Sequence, residues 1–257
     1  MELSDILSLV LSFLMLVTTV LSVRYAIKAY QHQKERTRKE AACNLAKVYA
    51  EEILDKCVVV TMILDKSKIL EFVKENFPMS NIKNFTMDEV LDFVTKKRMD
   101  FKTLHKKMYT FDADGILSAI EAGEVPSLSD KPLSLASKSK EALDSYVKDT
   151  ISSLLNTLEW FSMNCHYGLA DEKILYQSLH QTFLSTVWML YYYISMNNVA
   201  NVDKYYTNII WLFTVWESRA EEETARYLED MRTAKEEIRA AKEKVANAGR
   251  IYEGKSL

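Results

Sequence analysis

Glycine and proline are nearly missing from this chain: five and three residues among 257, where ordinary usage would supply about 18 and 13. Sheets and barrels need turn residues roughly every 8–12 positions, and helices do not, so the scarcity excludes a β-rich architecture and predicts an all-α fold. So few glycines also leave no GxGxxG, Walker or GxSxG motif, which excludes the common nucleotide-binding and serine-hydrolase loops. The three cysteines, Cys43, Cys57 and Cys165, are odd in number and widely scattered. They read as reduced thiols and not as a disulfide framework or a zinc site. The four histidines lack any HExxH-type spacing, so neither a metal nor another cofactor is expected, and His166 and His180 read as core or interface residues. A net charge of −3 excludes a strongly basic chain whose affinity comes from neutralising phosphates, and no direct nucleic-acid partner is predicted.

What the chain does have is a long apolar run near its start. Ile6 to Val23 (ILSLVLSFLMLVTTVLSV) is eighteen consecutive residues without a charge, and extension to Ala26 reaches the ~20 that a bilayer core requires. A cleavable signal peptide would want a basic start and a small-residue cleavage site. Glu2 and Asp5 precede this run, and RYAIKAYQHQKERTRK follows it directly. The segment therefore reads as an uncleaved transmembrane anchor. Arg24, Lys28, Lys34, Arg36, Arg38 and Lys39 lie beyond it, with no Lys or Arg before Ile6. The positive-inside rule then predicts an outside N-terminus and a cytoplasmic body, with anionic lipid headgroups as partners of the basic flank.

Within the anchor, Ser8, Ser12, Met15, Thr19, Ser22, Ala26 and Ala29 recur at 4-3-4-3-4-3 spacing. That spacing places them on one seam of a left-handed bundle, while Leu, Val, Phe and Ile occupy the other faces. Small and hydroxyl residues allow close helix approach and hydrogen bonds between helices, so the seam predicts self-association. In a wider ring the same stripe would line a water-filled path, with Arg24 and Lys28 at its inner mouth. The alternative is that the hydroxyls bond back to their own helix, and periodicity alone does not separate a dimer from a pore.

Beyond the anchor, no proline or glycine interrupts Tyr25 to Glu75. The helix is expected to continue as a charged stalk and then as a core helix over CVVVTMIL, with a break at Asn76, Pro78, Ser80 and Asn81. Thr86-Met-Asp-Glu89 resembles a capping box opening a helix with Val90, Leu91, Phe93 and Val94 inward. Asp112-Ala-Asp-Gly115 lacks the ligands of a calcium loop and reads as a helix start. Residues Gly123 to Lys140, rich in Ser with two prolines, read as a flexible internal loop. Helices are then expected over Lys140–Tyr167, ended by Gly168, over Asp171 to Met196, and from Asp203 onward. Phe183 to Ile194 is strongly apolar but, at twelve residues, too short to cross a bilayer, and reads as a buried core helix. The aromatic set Trp188, Tyr191, Tyr192, Tyr193, Tyr205, Tyr206, Trp211, Phe213 and Trp216 is mostly assigned to the core. The last helix carries a heptad seam through Ala220, Thr224, Tyr227, Met231, Ala234, Ile238, Ala241, Val245 and Ala248. Glu222–Arg226, Glu229–Arg232 and Glu236–Arg239 pairs are expected outside that seam. It can fold back on the stalk or pack against a neighbouring subunit. The division is an anchor over 1–27, a stalk and first core helix over 28–75, a helical bundle over 76–217, and a charged C-terminal helix over 218–257.

Two features carry possible chemistry. Arg98-MDFKTL-His105 matches the loose Arg-x4–6-His pattern of HEPN ribonucleases, whose dimers bring two such motifs together. The polar residue those enzymes prefer after the Arg is Met99 here, so catalysis is the minor alternative and no catalytic residue is assigned. Glu159, between Leu155, Leu158, Phe161 and Met163, would be a raised-pKa acid or a carboxylate that caps or pairs inside the bundle; the structural role is preferred.

Leu155-x-x-Leu158-Glu159-x-Phe161, then Gly168, the acidic helix start Asp171, and the closing Tyr205, Tyr206 and Trp216 resemble the signature of a bacterial and phage family of small, single-span helical proteins of unknown function. The layout is also similar to the CRISPR-associated membrane proteins that accompany the RNA-guided RNase of some type VI systems. That resemblance implies a HEPN-like cytoplasmic domain without nuclease activity and a homo-oligomeric, pore-like assembly, possible as a ring of six or more. It further implies a place in the bacterial inner membrane, a functional link to an RNA-guided RNase, and a role in phage defence by altering membrane permeability. A membrane-tethered ribonuclease and a passive scaffold are the alternatives.

Overall fold

The computed structural model describes residues 3–123, 140–198 and 204–253. All regular elements among them are helical: α1 (Leu3–Val48), a π turn (Tyr49–Ile53), α2 (Leu54–Lys66), α3 (Ile69–Asn76), α4 (Met87–Lys96), α5 (Phe101–Met108), α6 (Ala113–Glu121), α7 (Lys140–His166), α8 (Glu172–Met189), α9 (Tyr191–Met196) and α10 (Thr207–Glu253). The expected loop over Gly123 to Lys140 lies almost wholly outside the described residues, as does Asp203. The chain divides into two units, Met1–Leu212 and Phe213–Leu257.

α1, the π turn and α2 form one uninterrupted helical run from Leu3 to Lys66, as the absence of breakers predicts. Its core-facing residues are Ala42, Leu45, Tyr49, Ile53, Cys57, Val60 and Leu64, all buried. The step from Leu45 to Cys57 is four residues three times over, which would walk a regular 3.6-residue helix off the core by about 40° per step. The wider π turn absorbs that drift and holds Tyr49 and Ile53 against the bundle. Ser67 and Lys68 then end α2, with Lys68 at φ 56°, a break that no Gly or Pro announces. α3 ends at Asn76 before Pro78, where a break is expected.

The caps follow the local sequence. Thr86 accepts from the Glu89 N–H, Asp100 from that of Thr103, and Asp112 from that of Gly115. The Glu89 carboxylate departs from a capping box. It accepts from the Lys83, Asn84 and Phe85 N–H groups at 2.8–3.2 Å and from the Tyr191 hydroxyl at 2.9 Å. Four donors converge because Phe85, at φ 51°, curls the preceding backbone around it. On α4, Val90 and Val94 are buried while Leu91 and Phe93 are half-exposed.

The apolar run Phe183 to Ile194 is core, as its length predicts, although the expected single helix is divided at Leu190 into α8 and α9. Tyr191, Tyr192 and Tyr193 are all buried, and each hydroxyl finds a polar partner, as buried tyrosines require. Tyr191 donates to Glu89, Tyr192 bonds His105 at 3.0 Å, and Tyr193 donates to the Met108 carbonyl at 2.8 Å. Trp188 likewise donates to the Phe77 carbonyl at 2.7 Å. Phe77, Phe85, Phe93 and Tyr191 pack edge-on or tilted at 5.4–6.3 Å. The aromatic assignment fails at Tyr205, which is 66% exposed: it stands in the bend before α10, where only its backbone is engaged, with Asn198.

In the second unit, Phe213 and Trp216 are buried, and every residue described from Glu221 to Glu243 is exposed. Partial burial and the neighbouring Glu221 raise the Glu217 carboxyl to about 7. A carboxyl raised on folding favours the protonated native state, so stability contributed here is present at low pH and declines between about 4.5 and 7. Glu217→Gln is therefore expected to raise the melting temperature at pH 8 and to raise it much less at pH 5. Equal melting shifts at both pH values would contradict that placement.

Candidate functional site

The apolar part of α1 has no cover. Among the described residues, Leu11, Phe13, Leu14, Met15, Leu16, Val17, Val20, Leu21 and Val23 are exposed, Phe13 at 64% and Met15 at 70%. The most apolar 18-residue window has mean hydropathy 1.3 and no buried residue. Nine large apolar side chains left in water would forgo on the order of 10–20 kcal/mol, as much as a domain's whole net stability. This is one helix long and apolar enough to cross a membrane, near the N-terminus.

The regular helix from Leu3 to Val48 allows each seam residue to be placed. At 100° per residue, Ser8, Ser12, Met15, Thr19, Ser22 and Ala26 fall within an arc of about 80°. Of Ser8 and Ser12 only the backbone is described; Met15, Thr19, Ser22 and Ala26 are exposed. The Thr18 and Thr19 hydroxyls donate to the Met15 carbonyl at 2.9 and 2.8 Å. Thr19 thus has its donor satisfied inside its own helix, and its oxygen is left to accept. Arg24 and Lys28, expected at a pore mouth, lie about 160° from the seam on a regular helix, at outer heptad positions. Continued at the same 4-3 spacing, the seam runs through Ala29 and Gln33 to Arg36 and Glu40, which pair with each other at 2.8 Å.

The exposed stalk first meets the bundle at Arg38, where a second set of residues gathers. The Arg38 carbonyl accepts from the Asp171 N–H at 3.1 Å. Asp171 caps α8 through the Lys173 N–H. Between α7 and α8 the chain reverses at Gly168, φ 64°, with the Leu169 and Ala170 N–H groups returning to the Asn164 carbonyl. This left-handed position favours glycine because a Cβ there costs about 1–2 kcal/mol. The Arg38 guanidinium lies 4.0 Å from where that Cβ would stand.

About two and a half turns before this reversal, Glu159 caps a different helix. Its carboxylate accepts from the Asn208 and Ile209 N–H groups at 3.2 and 3.0 Å and from the Asn208 side-chain amide at 2.6 Å. Those are the second and third N–H groups of α10, which an N-cap side chain normally satisfies. The residue before α10 is Tyr206, at φ 60°, which has no short side chain to do so. A carboxylate from α7 takes the role and also meets the positive end of the helix dipole. Since the Asn208 amide donates to Glu159, its oxygen faces His166, whose Nδ1–H donates to it at 2.8 Å. The His166 ring stacks on Trp211 at 4.3 Å. Glu159 thus caps α10 inside the bundle, His166 is exposed beside Trp211, and Trp216 is buried. Asn208 and Arg38 were not foreseeable, because neither belongs to a local pattern. His180 stacks on Tyr176 at 4.4 Å and bonds its carbonyl.

Arg98 is exposed in the turn after α4, at φ 54°. The His105 ring lies near Phe101 and Tyr109 and bonds Tyr192, an anchor of α5 on α9. Cys57 and Cys165 are buried free thiols and Cys43 is exposed; burial pushes Cys57 up to about 11 and Cys165 to about 12, away from reactive thiolate. Among the described residues no three His, Cys, Asp or Glu side chains could hold a metal ion.

Removing the shared cap should be costly. Glu159→Ala is expected to destabilise the full-length protein by about 1–2 kcal/mol, and Gly168→Ala by a similar amount. Both would appear as lower midpoints in thermal melts followed by far-UV dichroism. An unchanged midpoint for Glu159→Ala would deny the carboxylate its capping role.

No curated protein and no solved structure matches the chain. Residues 61–216, from α2 through the start of α10, do match a known family. They include Glu159, Gly168, Asp171 and Trp216 and make up more than half of the sequence, and the chain belongs to the family described as a domain of unknown function, DUF4760.

Proposed function

We propose that the protein is a self-assembling effector of the bacterial inner membrane, with α1 crossing the bilayer, the N-terminus outside and the bundle in the cytoplasm. The bundle senses a signal, and assembly through the transmembrane seam changes membrane permeability. The observation that carries this reading is the bare apolar stretch of α1, with its small and hydroxyl residues gathered on one arc. A helix of that composition gains its burial from lipid on three sides and from copies of itself on the fourth. The orientation follows from the basic flank. Arg24 and Lys28 serve as headgroup contacts in this scheme, and a path along the seam meets its first charges at the Arg36–Glu40 pair.

The unbroken helix from the membrane to Lys66 supports a mechanical link, because movement of the bundle at Arg38 is delivered along a stiff rod. Phage defence, in partnership with an RNA-guided RNase, is proposed from the resemblance to CRISPR-associated membrane proteins.

Purified protein in detergent should be an oligomer, a ring of six or more if a path is lined by the seam, and should conduct ions after reconstitution into liposomes. Ser12→Leu with Thr19→Leu is expected to abolish conductance at unchanged expression. Arg24→Gln with Lys28→Gln should leave ion selectivity unchanged and weaken binding to anionic vesicles. A monomer, or conductance indifferent to the seam substitutions, would sink the proposal.

A further inference from the structure

The exposed part of α10 carries a complete interface pattern with nothing of its own chain upon it. The residues at 4-3 spacing from Ala220 to Ala241 are all at least partly exposed, including Tyr227, Met231 and Ile238 at 62%, 43% and 56%. In heptad terms Thr224, Met231 and Ile238 take position a, and Ala220, Tyr227, Ala234 and Ala241 take position d. Val245 and Ala248 extend the register in sequence, their side chains lying outside the described residues.

The charges sort by position. The ion pairs within the helix, Glu222–Arg226 at 3.7 Å, Glu229–Arg232 at 2.8 Å and Arg239–Glu243 at 3.3 Å, all fall at outer positions b, c and f. Arg239 reaches forward to Glu243 and not back to Glu236 as the sequence spacing suggested. The flanking positions carry Glu223, Asp230 and Glu237 at g and Glu221, Leu228, Lys235 and Lys242 at e. Asp230, Glu237, Lys235 and Lys242 enter no ion pair among the described residues. In a parallel, in-register pair each g residue faces the e residue five positions on in the partner. That matches Asp230 with Lys235 and Glu237 with Lys242, twice each, and Glu223 with the uncharged Leu228, so no like charges meet. An antiparallel pair faces g with g and e with e, which sets the acids at g on one another, although Glu221 at e can then face a lysine.

We infer that α10, over Ala220 to Ala241, forms a parallel, in-register coiled coil with the α10 of a second copy of this chain. The charge complementarity selects both the occupant and its direction. Aliphatic and β-branched residues at a fit such a seam, and alanines at d allow close approach. The inference rests on the self-assembly proposed above, and it assigns that assembly an interface outside the membrane, past the end of the family domain at residue 216.

Disulfide crosslinking of the full-length protein in liposomes tests it, with the exposed Cys43 replaced by serine. Thr224→Cys and Ile238→Cys, made separately, should each link to its own copy, whereas Glu229→Cys on the outer face should not. Lys235→Glu with Lys242→Glu should weaken the association roughly tenfold as four attractions become repulsions. Adding Asp230→Lys and Glu237→Lys should restore it. Linkage only between Thr224→Cys and Ile238→Cys in mixed samples would establish the antiparallel arrangement and overturn the inference. An oligomer by mass with neither position linking would remove the coiled coil and leave the membrane assembly standing, while a monomer would end both.

Discussion

The uninterrupted hydrogen-bond ladder from Leu3 to Lys66 is the constraint on which the rest of the first unit depends. At 1.5 Å per residue this rod is roughly 95 Å long, and its two ends differ in what they expose. The N-terminal part exposes apolar side chains that water does not tolerate, and the C-terminal part buries Tyr49, Ile53 and Leu64 in the bundle. No Pro, no Gly and no non-helical residue falls between them. The π turn is the single irregularity, placed where the apolar spacing stretches to four. An insertion of that kind reorients the face of a helix without cutting its ladder, so the stalk stays stiff while its core stripe stays aligned.

A rod is useful only if the bundle grips it, and the grip at its point of arrival is made from backbone groups. The Arg38 carbonyl meets the Asp171 N–H, the reversal beside it uses the left-handed freedom of Gly168, and Glu159 caps α10 from α7. These residues therefore have structural roles that do not require catalysis. Glycine suits the φ at 168, a short acidic side chain at 171 caps α8, and a carboxylate at 159 substitutes for a cap that Tyr206 has no side chain to provide. The three buried tyrosines do similar work on the far side of the bundle, each hydroxyl fixing a different loop or short helix. These polar tips explain why the run without Lys, Arg, Asp or Glu from Ile174 to Val202 has its apolar part, Phe183 to Ile194, as core and not as a second span.

Much of this was legible in the sequence because it depends on neighbours a few positions apart. The all-helical class follows from missing turn residues. The N-caps at Thr86, Asp100 and Asp112 and the reversal at Gly168 are local motifs whose geometry the chain reproduces, and the apolar run at the N-terminus is recognisable by length alone. What escaped reading depends on distant partners or on backbone angles. The break at Lys68 and the bend at Phe85 are left-handed residues that are not glycine. The Glu89 carboxylate serves three amides and a tyrosine 102 residues away, and Glu159 serves a helix that begins 48 residues on. Arg24 and Lys28 show how the two kinds of position differ: their place along the chain suggests a pore mouth, whereas their angle about a regular helix axis sets them opposite the seam.

The lining of the seam bears on what it can do. A path through a ring of such helices would be lined by hydroxyls, a thioether, alanine and Gln33, with no formal charge on the seam until Arg36 and Glu40, which pair with each other. Uncharged hydroxyl linings lower the cost of water without selecting an ion's sign, so the arrangement suits dissipation of a gradient better than discrimination among ions. The lone-chain geometry also explains how such a path could be controlled. Thr18 and Thr19 bond back to the Met15 carbonyl, which makes the isolated helix self-sufficient in lipid and assembly optional. An element satisfied in either state is biased by small energies, and the grip at Arg38, far along a stiff rod, is where the bundle can supply them.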